Sequence, residues 1–91
     1  MNLEFEWDEE KEQINIKKHG VSFTVAAKVF WDNLRIEIYD EAHSIDEDRY
    51  ITIGWADDVL FVVYTERSER IRLISARLAT AEERRLYDGY I

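Results

Sequence analysis

Ninety-one residues, 46% hydrophobic and 13% aromatic, make one globular domain spanning residues 1–91, too short for a second core and too apolar for disorder. The absence of cysteine removes disulfides and thiolate metal sites, and a net charge of −8 sets the molecule as a whole against polyanions. A fold of this length buries roughly 60–65% of its unfolded surface, so its stability margin is small and a bound partner can add to it.

Leu3, Phe5 and Trp7 alternate with Glu4 and Glu6, which predicts a short amphipathic strand. The stretch Met1–Glu6 is acidic where a secretory signal would be basic and then apolar. The longest strongly apolar run, Val59 to Tyr64, is too short to cross a bilayer. The expectation is therefore a soluble cytoplasmic protein with no membrane partner. Asp8 caps a helix that opens on Glu9 and Glu10, closes on Lys17, Lys18 and His19, and stops at Gly20, every charge suiting the helix dipole. Being poor in apolar residues, it belongs on the surface. Ser22 caps a second helix, whose Phe23, Ala26, Ala27 and Phe30 form one apolar face, and Asp32-Asn33 ends it.

Leu34, Ile36 and Ile38 alternate with Arg35, Glu37 and Tyr39, the pattern of a half-buried strand, and residues 40–48 form a polar loop. Ile51, Ile53 and Trp55 mark the next strand and Ala56-Asp57-Asp58 its turn. Val59 to Thr65 is apolar on both parities, which predicts a central strand covered on both faces. Glu66 to Arg70 reads as a polar turn and Ile71 to Arg77 as the last strand. Thr80-Ala81-Glu82-Glu83 is a capping box opening a short C-terminal helix. Short connections favour an antiparallel sheet with the helices segregated to one side, an α+β domain.

No nucleotide loop, zinc pattern or nucleophile elbow is present, and three glycines leave no phosphate-cradling loop. His19 and His43 lack metal-ligand spacing, and Asp46-Glu47-Asp48 lacks the glycine and distal ligand of a calcium loop, so no metal and no cofactor is expected. The charge is unevenly spread. Residues 1–60 hold six basic and fifteen acidic side chains, whereas residues 61–91 hold six basic and five acidic ones, and those six are all arginine. Arginine suits bidentate phosphate contact. Arg72 and Arg77 lie inside an otherwise apolar strand but differ in parity, so they share a face only if the strand bulges or ends near Ala76. For Arg67, Arg70, Arg84 and Arg85 the plainer reading is a solvated surface charge or ion pair.

These segments resemble the BrnT family of toxins. Phe5-Glu6-Trp7-Asp8 is similar to its opening motif, and Lys18-His19-Gly20-Val21-Ser22-Phe23 with Ala26-Ala27 and Val29-Phe30 to its second block. His43-Ser44, Glu47 and Arg49 match an HSxxExR loop, followed by Ile53-Gly54. Tyr64-Thr65-Glu66-Arg67, then Ile71 to Arg77, then Glu83-Arg84-Arg85 with Tyr87 complete the order, although Leu78 stands where a basic residue is common. The resemblance implies a RelE-like fold: an antiparallel sheet of about four to five strands, two N-terminal helices and a short C-terminal one. It also implies a ribonuclease that arrests growth by cutting cellular RNA. Its partner would be a BrnA-like antitoxin with a ribbon-helix-helix domain, through which DNA is contacted only indirectly.

Such a ribonuclease needs no metal, because the 2′-OH of the RNA attacks its own phosphate while side chains move protons and stabilise charge. Motif position and chemistry then nominate Arg72 and Arg77 as phosphate stabilisers and His43 as a proton carrier, with Glu47, Arg49 and Arg67 as further candidates. The competing readings are a non-catalytic module that only complexes with an antitoxin, and a DNA-binding regulator, against which the lack of a basic recognition helix speaks.

Overall fold

Hairpin-linked strands dominate the architecture. The computed structural model describes residues 3–89, so Met1 and Asn2 of the acidic N-terminus lie outside the described residues, as do the last two positions. In chain order the elements are β1 (Phe5–Glu6), α1 (Glu9–His19), α2 (Phe23–Ala27) continued by a 3-10 turn (Lys28–Trp31), and β2 (Ile36–Tyr39). A 3-10 turn (Glu41–His43) leads to β3 (Tyr50–Trp55), β4 (Val59–Arg67), β5 (Arg70–Leu78) and α3 (Ala81–Asp88). The sheet order is β1-β5-β4-β3-β2. The strands β2 to β5 are antiparallel neighbours as expected, but β1 joins β5 in parallel, with Phe5 opposite Ile71. A tight hairpin forces antiparallel pairing, whereas a strand added from far along the chain is free of that constraint. Among the described residues no helix is long and apolar enough to cross a membrane.

One face of the sheet carries the core. Phe23, Ala26, Val29 and Phe30 from the second helical segment are buried against Leu60, Val62, Tyr64, Leu73 and Ala76. Gly54 permits that approach, since a Cβ there would lie 2.7 Å from Val29 Cγ1 and 2.8 Å from the Arg35 Cβ. The helix α1 is held differently. Ile14 and Ile16 face outward, while Glu12 and Asn15 are buried. The Glu12 carboxylate accepts the Phe23 N–H at 2.8 Å, tying α1 to the first turn of α2. Asn15 donates to the carbonyls of Val21 (2.9 Å) and Ala76 (2.8 Å) and accepts the Ala76 N–H at 3.1 Å. It thereby satisfies the β5 edge where the two-residue β1 no longer reaches. This surface helix is fixed by polar contacts, which the apolar pattern could not show.

The strand predicted from Leu34 begins only at Ile36 and departs from half-burial: Leu34, in the turn before it, is 74% exposed, and Ile38, on the edge strand β2, is 39% exposed. The predicted turn over Glu66–Arg70 shrinks to Ser68 and Glu69, both at positive φ (49° and 67°), the hand that matches the twist of a two-residue hairpin.

The second face is built by β4 and β5. Val59, Phe61, Val63 and Thr65 point opposite to the core residues of β4, so this strand needs cover on both sides. The helix α3 supplies part of it by packing against β3 and β4, and this corrects the expectation that all helices lie on one side. Three contacts hold it: Glu83 to Arg77, Arg84 to Asp58 at 2.9 Å, and the Tyr87 hydroxyl to Asp32 Oδ2 at 2.6 Å. Acceptance by Asp32 pushes the Tyr87 phenol up to about 12. Burial works against the Asp32 carboxylate, but the Tyr87 hydroxyl, the N–H groups of Leu34 and Trp55 and the Arg35 charge outweigh it and hold the carboxyl below its ordinary value.

Between β4 and β5 the register jumps: Val63 faces Ser75 while Tyr64 faces Leu73, which leaves Ile74 as an extra residue. This bulge inverts the parity of β5. Ile71, Leu73 and Ala76 all reach the core, and Arg72, Ser75 and Arg77 all reach the second face. The condition for Arg72 and Arg77 to share a face is met, two residues earlier than Ala76.

Candidate active site

The part of the second face left open by α3 is a concavity of about 280 Å³. Ile51, Phe61, Val63 and Ile74 give it an apolar floor with the Ser75 hydroxyl at one side, and Asp40, His43 and Arg49 form its rim. The rim comes from one closed loop. Asp40 N–H donates to the Arg49 carbonyl at 2.9 Å, the Ser44 hydroxyl donates to the Asp40 carbonyl at 2.6 Å, and the Arg49 N–H donates to Ser44 Oγ at 2.8 Å. Ser44 thus pins both ends of the loop, and the spacing of the HSxxExR motif becomes a geometry. Within it the 3-10 turn brings the Asp40 carboxylate to His43 Nδ1, at 2.9 and 3.1 Å to its two oxygens. The Asp40 side chain is 15% exposed and that of His43 69%. A carboxylate on Nδ1 fixes the tautomer with its proton there and leaves Nε2 as the open acceptor.

The other nominated residues fall around this centre. Glu47 shares an adjoining hollow of about 270 Å³ with His43 and Arg49. It is engaged by Arg67, whose Nη2 donates to its two oxygens at 2.7 and 3.2 Å. That hydrogen bond holds the Glu47 carboxyl below its ordinary range and raises Arg67 in turn, so Glu47 is ionised at neutral pH and unsuited to hand over a proton. Arg72 is bonded to Glu6 at 3.0 Å. Arg77 forks onto Glu83, Nη1 to Oε1 at 2.8 Å and Nη2 to Oε2 at 3.0 Å, with its guanidinium 4.0 Å from the Phe61 ring centroid. Their partners on β4, Thr65 and Phe61, are four residues apart, which separates Arg72 and Arg77 by roughly 13 Å. They flank the concavity from opposite ends and neither lines it.

Of the six nominated residues, His43 and Arg49 meet at the concavity, Glu47 and Arg67 form a pair beside it, and Arg72 and Arg77 stand outside with carboxylates of their own. Reading the sequence missed Asp40, the stapling role of Ser44 and the β5 residue Ser75. The Asp-x-x-His spacing on one 3-10 turn was the available signal for Asp40. Ser75 carried none, because only the bulge turns it outward. Among the described residues no three His, Cys, Asp or Glu side chains converge to share an ion.

The family described as the ribonuclease toxin BrnT of type II toxin–antitoxin systems matches residues 7–83. Among solved structures the chain is similar to the Brucella abortus ribonuclease toxin BrnT, with a TM-score of 0.70 and 26% identity over 87% of this chain and 99% of that one. No curated protein sequence matches it. The family match runs from α1 through β5, with the loop that carries Asp40, His43 and Arg49 and the Arg77–Glu83 fork, so the chain belongs to the BrnT family of ribonuclease toxins of type II toxin–antitoxin systems.

Proposed function

We propose that this toxin cuts single-stranded cellular RNA at the open concavity of the second sheet face, with His43 moving the proton and Arg49 holding the phosphate. The observation that carries the reading is the Asp40–His43 pair at the rim, oriented through Nδ1, beside an arginine that has no carboxylate within salt-bridge distance among the described residues. His43 Nε2 takes the proton of the 2′-OH, the O2′–P bond forms, and the P–O5′ bond breaks. The leaving 5′ oxygen, on the opposite side of the phosphorus in an in-line displacement, takes its proton from water, and the imidazolium returns its own to solvent. Arg49 stabilises the charge that gathers on the phosphoryl oxygens. The products are a 2′,3′-cyclic phosphate and a 5′-OH, and every step uses only groups of the chain, the RNA and water, so the reaction runs without a metal. A BrnA-like antitoxin with a ribbon-helix-helix domain is the partner that silences it, and DNA is bound only through that partner.

Purified protein tests this directly. Cleavage in EDTA that leaves cyclic phosphate, falling roughly 10²–10⁴-fold in His43→Gln and 10²–10³-fold in Arg49→Ala, is the expected result. Product ends bearing a 3′-OH, or full activity in both variants, would sink it. Normal growth of bacteria making soluble toxin without its antitoxin would favour a non-catalytic binding module instead.

A further inference from the structure

Half of the twelve lysines and arginines are already paired. Arg35, Arg67, Arg70, Arg72, Arg77 and Arg84 each have a carboxylate oxygen between 2.7 and 3.7 Å away. Among the described residues Lys11, Lys17, Lys18, Lys28, Arg49 and Arg85 have none, and three of these, Lys11, Lys18 and Arg49, line two adjoining hollows. Arg49 belongs to the concavity already described. Lys11 and Lys18, with His19, line a groove of about 200 Å³ between α1 and β5, and no carboxylate lines that groove with them. The two hollows share Ile74 and Ser75, so only the β5 bulge separates them.

The helix geometry makes the groove a prepared surface. Lys11, Asn15 and Lys18 recur at i, i+4 and i+7, one stripe of α1, and the two lysines stand about 10 Å apart along the axis. Asn15 lies between them, and its paired bonds to the Ala76 backbone fix the roll of α1 against β5. The stripe that carries Lys11 and Lys18 is therefore set beside the groove, with both side chains exposed.

We infer that the groove between α1 and β5 is a second anion subsite, in which Lys11 and Lys18 take backbone phosphates of the RNA strand as it passes over Ile74 and Ser75 from the cleavage concavity. The inference rests on the proposed function for the identity of the polyanion. It extends that reading by giving the strand a direction across the molecule. A strand with a phosphate at Arg49 and further phosphates at the α1 stripe crosses β5 at Ile74 and Ser75 into a groove that no carboxylate lines.

The test is binding rather than cleavage, so that it stands apart from the fate of His43. The probe is a fluorescent single-stranded RNA of about 12 nucleotides made wholly of 2′-O-methyl residues, which cannot be cut, titrated by anisotropy across a range of salt. Each lost phosphate contact lowers the slope of log affinity against log salt by about 0.7 for a single strand. The double variant Lys11→Gln, Lys18→Gln is expected to lose about 1.4 from that slope and to bind roughly tenfold more weakly near 0.1 M salt. Lys28→Gln, an unpaired lysine outside both hollows, should bind as the parent does. An unchanged slope and affinity in the double variant, or an equal loss in Lys28→Gln, would overturn the subsite. Cleavage by His43→Gln reports separately on the catalytic reading: its survival beside a reduced salt slope in the lysine variant would condemn the cleavage centre and keep the groove.

Discussion

Replacing Arg77 by alanine separates a residue that holds the fold from one that holds the substrate. Its guanidinium makes two charge-assisted bonds to Glu83, donates to the Leu78 carbonyl at 3.1 Å and stacks on Phe61. The side chains of Arg77 and Glu83 are 34% and 19% exposed, so the pair is partly screened and its worth falls well below that of a dry ion pair. Two charge-assisted bonds so discounted, with the cation–π contact, come to about 1–2 kcal/mol. For a domain of this size that lowers the melting temperature by roughly 5–15 °C. The loss should concentrate in α3, since Glu83 is one of its three anchors. Cleavage per folded molecule should change far less than in Arg49→Ala, because Arg77 stands outside the concavity and its fork is already filled. Thermal unfolding by circular dichroism and RNA cleavage on the same preparation decide it. An unshifted melting temperature with cleavage down 10²–10³-fold would refute this reasoning and return Arg77 to the reaction, as a stabiliser that exchanges Glu83 for phosphate.

Ser44→Ala should lower cleavage with little change in melting temperature, since it loosens the closed loop around His43 and Arg49 while leaving the core untouched. Normal rates would show that the staple is dispensable. Asn15→Ala strands the Ala76 N–H and carbonyl and the Val21 carbonyl, and should cost about 2–4 kcal/mol in denaturant unfolding. A loss below 1 kcal/mol would mean that water replaces the amide. Glu83 has its carboxyl held below the ordinary value by the Arg77 hydrogen bond, so its contribution is complete above the unfolded-state pKa of 4.5 and fades as pH falls through the lower folded value. Melting temperature should therefore drop more steeply below about pH 4.5 in the parent than in Glu83→Gln, and parallel curves would contradict the assignment.

What the sequence disclosed followed from local rules. The caps at Asp8, Ser22 and Thr80 and the glycine at position 20 all stand where their side-chain and backbone preferences put them, because each acts within four residues of itself. The apolar run of β4 also gave its central place correctly. What stayed hidden depended on partners far along the chain. The inward face of α1 is polar because Asn15 substitutes for a strand partner 61 residues away, which no periodicity encodes. The bulge at Ile74 is a mismatch between two strands and is invisible in either alone. It decides which arginines share a face. Nomination of Arg72 and Arg77 followed residue type and motif position, and neither reveals that Glu6 and Glu83 occupy their guanidinium groups.

Those occupied arginines resolve the conflict between an acidic chain and an RNA substrate. At physiological salt a charge is felt over about 8 Å, so the net −8 matters less than the groups within that radius of each phosphate. Several carboxylates close to the second face are spent in local pairs: Glu6 on Arg72, Glu47 on Arg67, Glu83 on Arg77, Asp58 on Arg84. Each such pair is close to neutral at the distance of a passing strand. Asp40, the one carboxylate on the rim of the concavity, faces His43 rather than standing alone. The uncompensated positive charge left near β5 is Arg49 on one side of the bulge and Lys11 with Lys18 on the other. On the proposed path the strand meets Arg49, Lys11 and Lys18, and the one rim carboxylate beside them, Asp40, is engaged by His43. The repulsion elsewhere works in favour of that register, because any other seating of the strand lies against acidic surface.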